Sequence, residues 1–286
     1  MPSLNLILDD RPLAEKLLSP DTRSIMLLGE ADTGKTTLAG ALSSFLSKDF
    51  RTAAVDLDMG QSCIGPPTTV GWGFANKNAA WDKISPEEIY FIGALSPPGS
   101  LVPTLVGAKR MTDGALQRAE KVVIDTTGLV SGEIGTILKQ YKIELLCPDI
   151  VIALERYGEL GEILDGFRAS SKPMIWRLKA PESARTRTGL MRAAYREERF
   201  REYFARARPV EVSLNETGLR YTGGKGGEMA GRLVSFRDSS QKDLALGIIE
   251  AKDLDGNRLI IRTPLKEDAR YAAIVVGRAT VLPGND

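Results

Sequence analysis

Short apolar runs separated by helix-period segments organise the first two thirds of the chain. Ser24–Leu28, Thr52–Leu57, Glu88–Gly93, Lys121–Asp125, Ile150–Leu154 and Pro173–Trp176 read as buried strands. Thr36–Leu46, Gly132–Tyr141 and Gly158–Phe167 read as helices between them. Such alternation predicts an α/β fold with a mostly parallel sheet covered on both faces. Ahead of it, residues 1–22 form a lead-in, with a strand at Leu4–Leu8 and a small helix near Leu13–Leu18.

The pattern changes near residue 180. Residues 182–206 are charged and helical, without a continuous apolar face. From Val210 the chain becomes short strands broken by glycine: Val210–Leu214, Gly231–Phe236, Leu244–Ile249, Arg258–Ile261 and Ala273–Leu282. Asp255-Gly256 suits a hairpin turn, and Gly223 to Gly227 reads as a flexible loop. The expected division is a lead-in over 1–22, an α/β domain over 23–208 and a small β-domain, with a barrel as one form open to it, over 209–286.

Chemistry enters at Gly29-Glu30-Ala31-Asp32-Thr33-Gly34-Lys35-Thr36, followed by Thr37, which fits the P-loop pattern of a nucleoside-triphosphate binder. The apolar run before it and the helix after it supply the strand–loop–helix context such a loop needs. Its backbone amides and the positive end of the helix face the phosphates. Lys35 is expected at the β/γ-phosphates and Thr36 on magnesium. At the end of the next strand, Asp56 and Asp58 lie two apart, so both fall on one face unless the turn separates them. One can orient magnesium or its water, the other can accept a proton from an attacking hydroxyl, and Gln61 can hold a phosphate or substrate group. The plain alternative is an acidic strand end with an ordinary turn. Asp125-Thr126-Thr127-Gly128-Leu129 is a second polar strand end, where Asp125 is an alternative carboxylate for magnesium and Thr126 and Thr127 are donors to phosphate.

Composition narrows the chemistry. The chain has 286 residues, a net charge of +1 and no histidine. Histidine bases, histidine triads and histidine-ligated metals are excluded, and acid–base work falls to Asp, Glu, Lys or Tyr. Cys63 and Cys147 fit no disulfide framework or zinc pattern, which suits a cytoplasmic, reducing setting. No apolar run approaches the length of a membrane span. Positive charge is local: residues 168–208 hold twelve Lys or Arg against four Asp or Glu. Arg185, Arg187, Arg192, Arg196, Arg199 and Arg201 dominate it, with Arg192 and Arg196 one helical turn apart. They suit a lid that arrives with substrate, or a grip on a nucleic-acid backbone. A solvated helix with Arg–Glu pairs is the simpler account of part of this charge.

Taken together, these motifs resemble the polynucleotide 5′-hydroxyl kinases of the Clp1, Grc3 and Nol9 group, particularly the compact archaeal-type members. The resemblance rests on the P-loop, on Asp58-Met59-Gly60-Gln61 followed by Pro67-Thr68-Thr69, and on Asp125 to Gly132 as a substrate clasp. It extends to the lid-like run from Arg192 to Phe204 and to the β-domain strands around Gly231-Arg232-Leu233-Val234 and Arg262-Thr263-Pro264-Leu265. It implies transfer of a nucleotide γ-phosphate to the 5′-hydroxyl end of RNA or DNA, with ATP (GTP remaining open) and Mg2+. On these positions it implies that Lys35 stabilises the moving phosphoryl group and that Thr36 and Thr37 serve magnesium and phosphate. Asp58 would activate the hydroxyl, and Asp56 would support magnesium or Asp58. Gln61 and Thr127 would place the acceptor, and Arg192 and Arg196 would act as lid arginines. Two departures stand out. Leu129 replaces a tryptophan that many members carry in the clasp, and only about 22 residues precede the first core strand. An RNA-processing assembly factor with a degenerate site, and a P-loop enzyme acting on a small metabolite, are the competing readings.

Overall fold

The computed structural model describes residues 7, 9–77, 80–182, 184, 186–223, 228–253 and 257–281. Outside them lie the Asp255-Gly256 turn, Gly224 to Gly227, Arg185, Leu282 and all of the Leu4–Leu8 segment but Ile7. Helix α1 (Arg11–Leu18) opens the described chain. Asp10 caps it by accepting from Leu13 N at 3.1 Å, and its buried Leu13 and Leu17 face the sheet.

The α/β part holds β1 (Ser24–Gly29), α2 (Lys35–Leu46), β2 (Thr52–Leu57), β3 (Thr69–Phe74), β4 (Glu88–Phe91) and α3 (Leu101–Arg118). It continues with β5 (Lys121–Thr126), α4 (Gly132–Leu146), β6 (Ile150–Glu155), α5 (Gly161–Leu164) and β7 (Met174–Lys179). The strands form one seven-stranded sheet in the order β4-β3-β2-β5-β1-β6-β7. β2, β5, β1, β6 and β7 run parallel, while β3 and β4 add an antiparallel edge. The central strands are buried along their whole length, because helices cover both faces, and two apolar cores result.

Several expectations shift. β3 is not legible in the sequence, since Gly71 and Gly73 interrupt its apolar alternation. α3 contains Pro103, Gly107 and Gly114, which read as breakers. Pro103 sits in its first turn, where a missing N–H costs nothing. The helix expected over Gly158–Phe167 shrinks to the four residues of α5 and a 3₁₀ turn at Asp165–Phe167. The strand expected at Pro173–Trp176 extends instead to Lys179.

Helix α6 (Gly189–Phe204) follows, and then β8 (Arg208–Ser213), β9 (Gly218–Tyr221), β10 (Arg232–Arg237), β11 (Asp243–Lys252), β12 (Arg258–Thr263) and β13 (Ala273–Thr280). These strands form a second sheet in the order β8-β12-β11-β10-β13-β9, antiparallel except for the β13–β9 pair. Among the described residues no pairing joins β8 to β9, so the expected barrel is an open sheet. β9 is absent from the sequence-based expectation. The two sheets meet at β4: Phe91 N donates to Asp243 at 2.8 Å, and Asp243 is held in a buried ion pair with Arg237, also at 2.8 Å. Among the described residues no helix is long and apolar enough to cross a membrane.

Candidate functional site

The P-loop joins the carboxyl end of β1 to the amino end of α2, where a parallel sheet gathers its loops. Gly34 caps α2 with φ 91°, a left-handed conformation that a side chain would strain. Lys35 is buried, and its Nζ donates to Glu30 O at 2.7 Å. Thr33 Oγ1 also donates to Glu30 O, at 2.9 Å, which closes the loop on itself. Opposite the loop runs the turn after β5. A Cβ on Gly128 would lie 2.5 Å from Ala31 N, so only glycine lets these two turns touch.

Most of the residues singled out in the sequence line one cleft of ≈ 830 Å³, within the range of small-molecule sites. Its floor is Ala31, Asp32, Gly34, Lys35, Thr36 and Thr37. Asp58 and Gln61 stand on one wall, Thr126, Thr127 and Leu129 on another, and Arg192 and Arg196 close it from α6. Gly29, Glu30, Thr33 and Asp56 are not among its lining residues; Thr33 and Asp56 are buried, while Glu30 is exposed. Arg187 of the basic segment lines it too, and Leu95, Pro97 and Met191 also line the cleft but carried no sequence signal. Arg156, just past β6, donates to Asp32 O at 2.6 Å and supports the loop. Its place after a strand end was the one available clue.

The three aspartates take different positions. Asp125 Oδ2 accepts from Thr36 Oγ1 at 2.5 Å, while its Oδ1 accepts from Thr126 N at 2.9 Å. Asp58 Oδ1 accepts from Gly60 N at 3.0 Å and Gln61 N at 3.1 Å, and among the described residues its Oδ2 has no protein partner. Asp56, expected to support magnesium or Asp58, turns away from the cleft and takes the second of these places. Its Oδ1 accepts from Asp58 N at 2.9 Å, and its Oδ2 from Cys63 N at 2.6 Å and Ile64 N at 3.2 Å. The loop curls back over its carboxylate, so strand periodicity misplaces it. Burial, then the charges of Asp125 and Asp58, push Asp56 up to about 8 against the pull of those amides. Burial likewise raises Asp125 and lowers Lys35, and their mutual attraction opposes both shifts. Asp125 and Asp58 thus place carboxylate oxygen near Thr36 and Lys35.

Thr126 is a second correction. Its hydroxyl donates to Leu27 O at 2.8 Å and accepts from Lys139 Nζ at 2.9 Å, so it has no proton left for phosphate. Thr127 lines the cleft, and its hydroxyl accepts from Lys139 Nζ at 3.3 Å without having to give up its proton. Gln61 Nε2 donates to Gly60 O at 2.8 Å and to Arg192 O at 3.4 Å, while among the described residues its buried Oε1 has no partner.

Helix α6 differs from the mobile lid expected of it. Arg192 donates to Asp32 Oδ2 at 2.7 Å. Tyr195 OH donates to Ser62 O at 3.0 Å, and Arg199 donates to Cys63 O and Gly65 O, both at 3.0 Å. Phe200, Tyr203 and Phe204 pack on Leu233, Leu246 and Val275 of the second sheet, where Tyr203 OH accepts from Leu246 N at 2.9 Å. Arg199 is therefore occupied with backbone, and Arg196 is the lid arginine facing the cleft without a protein partner among the described residues.

A family model described as mRNA cleavage and polyadenylation factor CLP1 P-loop matches residues 29–206. The chain is similar to a polyribonucleotide 5′-hydroxyl-kinase of Pyrococcus furiosus, 37% identical over 210 residues, which are 72% of this chain and 58% of that protein. A polyribonucleotide 5′-hydroxyl-kinase of Methanocaldococcus jannaschii is 38% identical over 195 residues, 67% of this chain and 53% of that protein. The chain thus spans little more than half the length of these relatives. Clp1p, in the structure of its wild-type complex with Pcf11p (454–563), shares the fold with a TM-score of 0.76 at 12% identity, over 96% of this chain and 78% of that one. A P-loop that binds a nucleoside triphosphate, the seven-stranded sheet and a family match over most of the chain agree: the protein belongs to the CLP1 P-loop family.

Proposed function

We propose that this chain is a nucleotide-dependent kinase that transfers the γ-phosphate to the 5′-hydroxyl end of a polynucleotide, RNA first and DNA second. The observation that carries this reading is Asp58. It stands in the same cleft as the P-loop lysine, with one oxygen fixed by two amides and the other without a partner among the described residues. That is what a general base beside a nucleotide requires.

The 5′-oxygen forms a bond to the γ-phosphorus as the bond to the β–γ bridging oxygen breaks. Asp58 Oδ2 takes the hydroxyl proton, and the nucleoside diphosphate leaves. Lys35 shifts from Glu30 O to the phosphates, and Arg192 and Arg196 offset the charge spreading over the moving group. Gln61 Oε1 and Thr127 Oγ1 orient the acceptor, and Leu129 supplies an apolar seat for the terminal base.

Magnesium fits beside Thr36 and Asp125, whose adjacent oxygens are the hard ligands it prefers. Among the described residues no group of three or more His, Cys, Asp or Glu is placed to hold a metal. This suits an ion that draws its other ligands from water and phosphate. When bound, it neutralises charge on the β- and γ-phosphates. Thr36 and Asp125 are its protein side in this reading, and Asp56 orders the loop that carries Asp58. ATP is the expected donor, because the Asn-Lys-x-Asp run of guanine-specific sites is absent; GTP is tested beside it. The proposed domain division falls between residues 208 and 209, at the start of β8 (Arg208–Ser213).

The test incubates the protein with γ-labelled ATP or GTP and 5′-OH RNA, 5′-OH DNA or candidate metabolites, with magnesium or manganese. Label on the oligonucleotide, absent with Lys35→Ala, supports the proposal. No label above that control overturns it. Nucleotide-dependent RNA or protein binding without transfer would instead point to an assembly factor.

A further inference from the structure

The buried face of α4 carries two lysines, Lys139 and Lys142, both fully enclosed. Burying an ammonium is unfavourable unless it is paired. Among the described residues neither forms an ion pair, and the two differ in what they touch. Lys142 Nζ has no hydrogen-bond partner among the described residues. Lys139 Nζ has three, all on two consecutive residues of the turn after β5: Thr126 Oγ1 at 2.9 Å, Thr127 Oγ1 at 3.3 Å and the Thr127 carbonyl.

Two of these atoms can only accept. The Thr127 carbonyl has no proton, and Thr126 has given its own to Leu27 O. Burial lowers Lys139 well below the usual lysine range, with Lys142 and Lys35 adding to this and Asp58 and Asp125 opposing it. Either form of the amine keeps at least two N–H bonds, which these two acceptors absorb. The contact geometry thus survives a change of protonation. Behind Thr127, Lys139 is a fixed three-point support. In front of it is the cleft.

We infer that Lys139 is a positioning residue for the acceptor: it holds the main chain and hydroxyl of Thr127 so that Thr127 meets the 5′-terminal nucleotide. The inference rests on the kinase reading above. It predicts a selective effect, because all three hydrogen bonds of Lys139 end on the turn after β5 and none on the P-loop or Asp58.

The experiment compares Lys139→Met, Thr127→Val, the double variant and Lys142→Met by steady-state transfer from ATP to a 5′-OH RNA. Lys139→Met and Thr127→Val are expected to raise the acceptor KM by about tenfold or more, as for loss of one or two fixed hydrogen bonds. The nucleotide KM should stay within about twofold. Added to Thr127→Val, Lys139→Met should change the acceptor KM by no more than about twofold. Lys142→Met should leave the acceptor KM unchanged. An unchanged acceptor KM in Lys139→Met, equal rises in both KM values, or additive effects in the double variant would overturn the inference. Should Lys139→Met not fold, an unchanged acceptor KM in Thr127→Val overturns it equally, and a selective rise supports it. Absence of transfer by the unaltered protein is a different result and counts against the kinase reading itself.

Discussion

Asp32 of the P-loop and Arg192 of α6 are joined by an ion pair of 2.7 Å across the mouth of the cleft. Asp32 also accepts from Arg187 N at 3.1 Å. One carboxylate thus ties the start of the arginine helix to the loop that receives the phosphates. The remainder of the helix is held elsewhere, by the turn after β2 and by the second sheet. Any movement on nucleotide binding is therefore expected in its first turns.

Asp32→Asn tests this. Asparagine tolerates the left-handed φ of 60° at this position, so the loop keeps its path. Amide hydrogen exchange over residues 186–192 should speed up in the nucleotide-free protein, while residues 199–204 remain as protected as before. Global stability should fall by less than about 1 kcal/mol, because the pair is partly exposed. Unchanged exchange at 186–192 would show that the ion pair does not hold the helix start.

Asp125 and Asp56 face each other across neighbouring strands in register, yet their variants should fail differently. Asp125→Asn retains an acceptor for Thr36 and should fold normally. Its magnesium requirement for half-maximal transfer should rise about tenfold or more. Asp56→Ala strips three loop amides of their acceptor and should lose about 2–4 kcal/mol of stability in denaturant unfolding. Loss of stability in Asp125→Asn, with magnesium dependence altered only in Asp56→Ala, would reverse the assignment.

Leu129→Trp should strengthen the acceptor site. Stacking on an aromatic ring contributes about 1–3 kcal/mol per base, so the acceptor KM should fall by about 5- to 150-fold. Titrating a 5′-OH RNA at saturating ATP measures it. A KM that stays put would place the terminal base away from this side chain.

Lys142 predicts a pH dependence of stability. Burial lowers it from 10.5 to about 8, with Asp58 and Asp125 pulling the other way. Between these values the unfolded chain binds a proton that the folded chain does not, so Lys142 makes stability rise with pH there. Its destabilisation is complete below the folded value and vanishes above 10.5. Lys142→Met should therefore be more stable than the unaltered protein near neutral pH, by up to about 3 kcal/mol. The difference should close as pH approaches 10.5. Unfolding of both proteins across pH 6.5 to 10.5 checks this, and a gap that does not narrow would contradict it.

The chain's local signals carried far. Eight consecutive residues between an apolar run and a helix specify the P-loop, because strand, turn and helix there are neighbours in sequence. Alternating apolar runs specified the parallel core, and glycine-broken strands specified the second sheet. The arginine pair spaced by one helical turn also lies on the cleft. Where signals were weak, elements vanished from the reading: β3 with its two glycines and α3 with Pro103.

What tertiary structure decided was the partner of each polar group. Thr36 meets Asp125, 89 residues away, and not the Asp56 that strand spacing favoured, because a turn's path after a strand end is set by its own amides. Thr126 is consumed by Leu27 and Lys139. In sequence, Lys139 and Lys142 resemble any surface lysines; only the packing of α4 reveals them as buried and one of them as a support. The arginine helix reads as a free lid by composition but is docked through Tyr195, Arg199 and Tyr203. Sequence fixes which groups are available through short-range periodicity and turn chemistry, whereas hydrogen-bond direction and burial depend on contacts between segments far apart in the chain.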